Sequence, residues 1–302
     1  MATPAIETRD LEKTYPTGVR ALADLELSVE QGEVFGYLGP NGAGKSTTIR
    51  LLLDLIRPTA GQAFVLGLDP RRDGVEARRR IGYLPGDLRL ADRMTAREQL
   101  DSLARLRGRV DVALRDQLCE RFGVVLGRPI RQLSKGNRQK VGLVQAFTHR
   151  PELVVLDEPS SGLDPLLQAE LRSLLRETAA DGRTVFLSSH SLDEVQHVAD
   201  RVGIIRSGRL ADVDTVERLR ERALRHVAVV FAEPVDASRF AALDGVRVDN
   251  ADGTIVRLSA PEAAMDAVVK EAAAHRVVDL VSQPADLEEI FLELYEEPES
   301  GS

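Results

Sequence analysis

From Ala5 to about Arg220, short apolar and β-branched runs alternate with longer stretches whose apolar residues recur at helical spacing. Glu33–Leu38 is followed by Lys45–Ile56, and Leu153–Leu156 by Pro165–Ala179. Strand then helix, repeated, predicts a mostly parallel sheet flanked by helices. The opening runs, Ile6–Tyr15 and Leu22–Val29, alternate with a period of two and have no helix between them. They predict an antiparallel flap on that sheet.

After residue 220 the order becomes strand Val227–Phe231, helix Asp236–Leu243, strand Val246–Val248, strand Thr254–Leu258, helix Pro261–Ala274 and strand Val277–Val281. The turn Asn250-Ala251-Asp252-Gly253 separates the middle strands, as a hairpin requires. This β-α-β-β-α-β order is a split βαβ pattern. Val227, Val229, Ile255, Val256, Val278 and Leu280 are its expected core stripe. A last helix, Asp286–Leu294, would carry Leu287, Ile290, Phe291 and Leu294 on one face. The expected organisation is an α/β domain over residues 1–221 and a small α+β domain over 222–302 that ends in an acidic tail.

Composition sharpens this division. The 302 residues carry a net charge of −8, yet residues 221–302 hold 17 acidic and 7 basic residues, or −10, which leaves +2 for the rest. At 43% hydrophobic and 29% charged, the chain has the composition of soluble globular proteins, not of disordered or fibrous ones. The longest stretches free of Asp, Glu, Lys and Arg, Val34–Gly44 and Pro58–Leu68, run to 11 residues. A spanning helix needs roughly 20, so none is expected. Met1–Asp10 has no apolar run and lacks the pattern of a secretory signal, which points to the cytoplasm. Cys119, the only cysteine, excludes an intramolecular disulfide and any cysteine-cluster metal site. Arg71-Arg72 and Arg78-Arg79-Arg80 are interspersed with Asp73 and Glu76, lack interleaved aromatics and sit in an acidic chain. They read as a solvated helix face, and no nucleic-acid partner is expected.

The chemistry concentrates in Gly39-Pro40-Asn41-Gly42-Ala43-Gly44-Lys45-Ser46, a G-x-x-x-x-G-K-[ST] phosphate loop between a predicted strand and a predicted helix. Glycines let successive backbone N–H groups converge on phosphate oxygens, and the helix start adds its own unsatisfied donors. Lys45 is expected to reach the β and γ phosphates, and the Ser46 hydroxyl to ligate Mg²⁺, with Thr47 completing the loop's ATP contacts. The run Leu153–Leu156 ends in Asp157-Glu158 at the edge where a parallel sheet binds ligands. Asp157 is then the magnesium-side carboxylate, and Glu158 the group that polarises an attacking water.

With these two motifs stand Leu133-Ser134-Lys135-Gly136-Asn137, Ser161-Gly162-Leu163-Asp164 and Thr184-Val185-Phe186-Leu187-Ser188-Ser189-His190. The ordered set, over roughly residues 5–220, resembles the ATP-binding subunit of an ABC transporter. The resemblance implies a P-loop ABC-type ATPase domain with a helical insertion. It also implies a signature loop at Ser134, Lys135, Gly136 and Asn137, a D-loop at Asp164, a switch histidine at His190 and an adenine-stacking aromatic at Tyr15. In that family two ATPase domains face head to tail, so Ser134 and Gly136 would complete the partner's nucleotide site. Two departures stand out. Lys135 replaces a signature glycine, and Gly86-Asp87 follows Tyr83-Leu84-Pro85 where the family commonly has glutamine; Asp87 is either a substitute oxygen ligand or a solvated loop acid.

The Lys-containing signature, the Tyr-Leu-Pro-Gly segment and the ending Gln283–Leu292 resemble the drug-resistance branch typified by bacterial daunorubicin exporters. That implies ATP and Mg²⁺ as cofactors, a separate ABC-2-type permease, a homodimer or a heterodimer with another ATP-binding subunit, outward transport, and a peripheral position on the inner face of the cell membrane. Two alternatives remain: a soluble ABC-type ATPase acting on a ribosome or DNA complex, and a non-hydrolysing nucleotide-gated module.

Overall fold

A computed structural model describes residues 3–108, 110–222 and 224–283, so the expected helix Asp286–Leu294 lies outside the described residues. Two compact units meet between Asp214 and Thr215. The expected boundary fell seven residues later, because residues up to 221 were grouped by charge. Val216–Arg222 instead coils into a helix that groups with the second unit.

In the first unit, β1 (Ile6–Thr14) pairs antiparallel with β2 (Arg20–Val29). Next come β3 (Val34–Leu38) and α1 (Lys45–Leu52), and then β4 (Ala60–Val65), which closes a flap of order β2-β1-β4 on the other edge of β1. Helix α1 stops short of the expected Ile56, and Asp54 turns into the left-handed region with φ +56°. The main sheet adds β5 (Ile81–Leu84), β6 (Leu153–Asp157), β7 (Thr184–Ser189), β8 (Arg201–Arg206) and β9 (Arg209–Thr215) in the order β5-β6-β7-β3-β8-β9. The pairings β5·β6, β6·β7, β7·β3 and β3·β8 are parallel. Every residue of β3, β6 and β7 is buried, because helices cover both faces; such strands read as continuous apolar runs, not alternating ones.

Phe35, Tyr37 and Phe186 form the aromatic centre, with the Phe35 and Phe186 rings stacked at 5.9 Å and Tyr37 tilted at 5.3 Å from Phe186. Each such side chain contributes about 1.5–3 kcal/mol on burial. Between β5 and β6 lies the helical insertion, α3 (Ala96–Arg107), α4 (Val112–Arg121) and α5 (Lys135–Phe147), after the short α2 (Gly74–Arg80). A reciprocal Thr95–Glu98 capping box starts α3. Helices α6 (Pro165–Ala180) and α7 (Leu192–Gln196) follow β6 and β7.

In the second unit, after α8 (Val216–Arg222), come β10 (Arg225–Phe231), α9 (Ser238–Ala241), β11 (Arg247–Asp252), β12 (Ile255–Ala260), α10 (Met265–Ala273) and β13 (Val277–Gln283). Its antiparallel sheet has the order β11-β12-β10-β13, the split βαβ arrangement. β11 extends through Asp252, so the loop is only Gly253-Thr254, with Gly253 at φ +57° in the first central position. The core is Val227, Val229, Phe231, Val256 and Leu258 packed with Phe240, Val268 and Ala272.

Two members of the expected stripe fall outside that core. Ile255 shares the opposite sheet face with its partner Val230, since successive strand residues alternate faces. Val278 is 65% exposed because β13 carries one extra residue there: Asp279 faces Val230, Val277 faces Phe231, and Val278 is left unpaired.

His149 sits beside Arg107 and the Ile81 carbonyl at the start of the β5–β6 edge. Burial, reinforced by Arg107, lowers its pKa to about 4. The unfolded chain therefore binds this proton at higher pH than the folded chain. The stability gained by keeping His149 neutral is complete above about pH 6.5 and drains away as the pH falls toward about 4. His149→Asn should flatten the fall in Tm between pH 7 and 5 seen by calorimetry in the unsubstituted chain; parallel curves would contradict this.

Candidate active site

Strand register assembles the site. Asp157 of β6 lies opposite Ser188 of β7, and Leu38 of β3 opposite Ser189. Three strands thus end together and deliver Gly39–Gly44, Asp157-Glu158 and Ser188–His190 to one edge of the sheet, the edge where parallel sheets hold ligands.

The phosphate loop leaves β3 and turns into α1 at Gly44, whose φ is +116°. No side chain caps that helix, so its first N–H groups stay available to an anion. A Cβ at Gly44 would stand 2.8 Å from the Ala21 carbonyl, which excludes any larger residue. Pro40, Asn41 and Gly42 are exposed, whereas Ala43, Gly44 and Lys45 are buried. Lys45 Nζ donates to the carbonyls of Gly39 and Pro40 and stands 3.4 Å from Glu158 Oε1. Thr47 Oγ1 lies 3.3 Å from the hydroxyl of Tyr15, and the Lys13 ammonium sits over the Tyr15 ring at 5.4 Å.

Ser46 Oγ donates to Asp157 Oδ2 at 2.8 Å, and Ser188 Oγ donates to Oδ1 at 2.6 Å. Asp157 is 4% exposed, so two hydroxyls hold a nearly buried carboxylate. Glu158 follows with φ +52°, a strained value for a side chain of this size. This turn aims the carboxylate sideways: Oε2 lies 2.6 Å from His190 Nδ1, while Oε1 is buried and has no hydrogen-bond partner. A carboxylate only accepts, so Nδ1 carries the hydrogen. Lys45, Glu158 and His190 therefore form a line of cation, anion and imidazole.

The structure brings Lys45, Ser46, Asp157, Glu158 and His190 together, and joins Tyr15 to Thr47. The signature residues lie elsewhere. Ser134 caps α5, its Oγ accepting from the backbone N–H of Asn137, and Ser134 and Lys135 are exposed. Asn137 Nδ2 also reaches Ser134 Oγ. Lys135 donates to Ser161 Oγ at 3.1 Å, and Gly136 packs against the backbone of Gly162. Asp164 caps α6 by accepting from Leu167 N–H. Asp87 turns outward to Arg89, at 3.0 Å, and Gly86 faces Asp157 in its place. Ser188 and Ser161 were not singled out from sequence. For Ser188 the signal was two polar residues ending an otherwise apolar buried strand.

This fold and constellation define a P-loop nucleoside triphosphatase. Residues 22–161 match the ABC transporter family, and the chain is 36% identical over 309 residues to the daunorubicin resistance ATP-binding protein DrrA3 of Streptomyces coeruleorubidus, covering 97% of this chain and 96% of that protein. The chain belongs to the ABC transporter ATP-binding proteins, and it is an ATPase. The bacitracin transport ATP-binding protein BcrA of Bacillus licheniformis is 37% identical over 74% of this chain and 73% of its own length. An uncharacterized ABC transporter ATP-binding protein of Synechocystis is 39% identical over 68% of this chain, which spans 61% of that relative. A solved ATP-binding subunit of an ABC transporter superposes with a TM-score of 0.65 at 32% identity, over 73% of this chain and 93% of that one. Among the described residues no helix is long and apolar enough to cross a membrane.

Gly136 offers a direct check of how the signature loop is seated. A Cβ there would stand 2.5 Å from the Gly162 carbonyl oxygen, so Gly136→Ala must push the two loops apart. Overpacking of this kind costs about 1–3 kcal/mol. A lowered Tm with reduced ATPase rate is expected, and unchanged values for both would refute the contact.

Proposed function

We propose that this chain powers export of a drug-like or antibiotic substrate through a separate ABC-2-type permease, working as a dimer on the inner face of the cell membrane. The near full-length similarity to a daunorubicin resistance protein supports the exporter branch, and the similarity to a bacitracin transport protein supports the substrate class. The observation that carries the hydrolytic mechanism is the placement of Glu158, with one oxygen bound by His190 and the other oriented beside Lys45 without a hydrogen-bond partner.

In this reading Lys45 meets the β and γ phosphates, and the N–H groups from Gly39 to Thr47 cradle the rest of the triphosphate. Tyr15 stacks on adenine. Ser46 and Asp157 would hold Mg²⁺. Their hydroxyl and carboxylate oxygens are the hard donors this ion takes, and so small a protein ligand set suits an ion that keeps waters and substrate phosphates around it. The ion's part is to neutralise charge developing on the phosphates. Glu158 Oε1 accepts a proton from the attacking water, and His190, steered by Oε2, faces the γ phosphate. Ser134, Lys135, Gly136 and Asn137 act on the nucleotide of the opposing subunit; their exposure supports an intermolecular role. Asp164 orders the D-loop at that same surface. Residues 222–302 form a separate accessory domain.

Glu158→Gln should keep ATP binding while slowing turnover by about 100-fold or more, the scale of lost general-base help. Near-normal hydrolysis would remove Glu158 from that role. Lys45→Ala acts differently: calorimetry should show weaker ATP binding, and equal affinity would contradict the phosphate contact. Neither Ser134→Arg nor Lys45→Ala chains should hydrolyse ATP alone. Mixed together, they should regain part of the activity, because one composite site then has two intact halves; no recovery in verified mixed dimers would sink the shared-site geometry.

A further inference from the structure

Ser188 is fully buried at the end of β7, between Asp157 on β6 and Tyr37 on β3. Its hydroxyl donates to Asp157 Oδ1 at 2.6 Å and accepts from the backbone N–H of Glu158 at 3.3 Å. The same N–H also reaches the Ser188 carbonyl at 3.2 Å. One serine therefore touches both consecutive acids, through its side chain and its main chain.

We propose that Ser188 is a positioning residue whose single hydroxyl sets the aim of both carboxylates, fixing the rotamer of Asp157 and pinning the backbone of Glu158 in its strained turn. This rests on the roles given above to Asp157 and Glu158 and adds the residue that makes them work as a pair. With Oδ1 tied to Ser188 and Oδ2 to Ser46, the Asp157 carboxylate cannot rotate without breaking a hydrogen bond inside the protein. A residue at φ +52° persists only where its surroundings over-determine it, and the forked bond from Glu158 N–H to Ser188 supplies that constraint. Removing the hydroxyl frees both: Asp157 keeps only Ser46, and Glu158 can relax away from His190 and Lys45. The loss falls on catalysis and cation affinity, since Ser188 contacts neither the phosphate loop nor Tyr15 in the list of its hydrogen bonds, which run to Asp157 and Glu158.

The test compares Ser188→Ala, Ser188→Thr and Glu158→Gln in the full chain, reading kcat and KM for ATP, Tm, and the affinity for Mn²⁺ measured by spin resonance with a non-hydrolysable ATP analogue bound. Loss of a residue that orients a metal ligand typically costs 10–100-fold in metal affinity or activity. Ser188→Ala should therefore lower kcat and weaken Mn²⁺ binding by about tenfold or more, with KM for ATP nearly unchanged, and Ser188→Thr, which keeps the hydroxyl, should restore most of both. Normal kcat and Mn²⁺ affinity in Ser188→Ala overturn the proposal, as does a drop in Tm alone or a threonine variant no better than alanine. If Glu158→Gln also hydrolyses ATP normally, the general-base reading itself fails; if Glu158→Gln is slow and Ser188→Ala is not, only the positioning role of Ser188 fails.

Discussion

The alignment of three neighbouring parallel strands governs everything chemical in this molecule. Asp157 opposite Ser188 and Leu38 opposite Ser189 mean that β6, β7 and β3 stop at one level, and the polar residues just past each end meet across the sheet edge. Slipping a strand by one residue would turn each of its side chains to the other face and carry Asp157 or Ser188 out of reach. The continuous apolar burial of these strands prevents that slip, with the Phe35, Tyr37 and Phe186 rings as the tightest part of the lock. The packing core and the reaction centre are thus one mechanical object.

A second coupling lies at the exposed side of the same unit. Lys135 on Ser161 and Gly136 on the Gly162 backbone join the start of α5 to the turn that precedes α6. The amine of Lys135 is tied within its own chain, so the residue that departs from the family's glycine acts first as a strut between two loops. That leaves the Ser134 hydroxyl and the α5 N-terminus as the outward-facing donors.

Much of this was legible in the sequence, for physical reasons. A phosphate loop needs particular residues at fixed spacing, and buried parallel strands need unbroken apolar runs, so both stand out without any structure. The split βαβ order of the second unit was legible too, but not its inner face: Ile255 and Val256 are adjacent and cannot point the same way, and the extra residue at Val278 leaves no compositional trace. Ser188 was hidden for a similar reason. A serine ending a strand looks like solvent-facing punctuation, and only the register reveals that it lies between two acids. The division at Asp214 escaped because charge changes more slowly along the chain than contacts do.

The left-handed backbone at Glu158 also bears on how the fold spends its stability. Glycine adopts φ +52° freely, whereas glutamate there costs of order 1–3 kcal/mol, a sizeable part of the ~5–15 kcal/mol that holds a typical domain together. Selection for robustness alone would drift this position toward glycine and gain thermal tolerance while losing the acid. The glutamate thus marks a place where durability and turnover are opposed, and an engineer seeking a heat-resistant variant of this subunit must look for gains elsewhere.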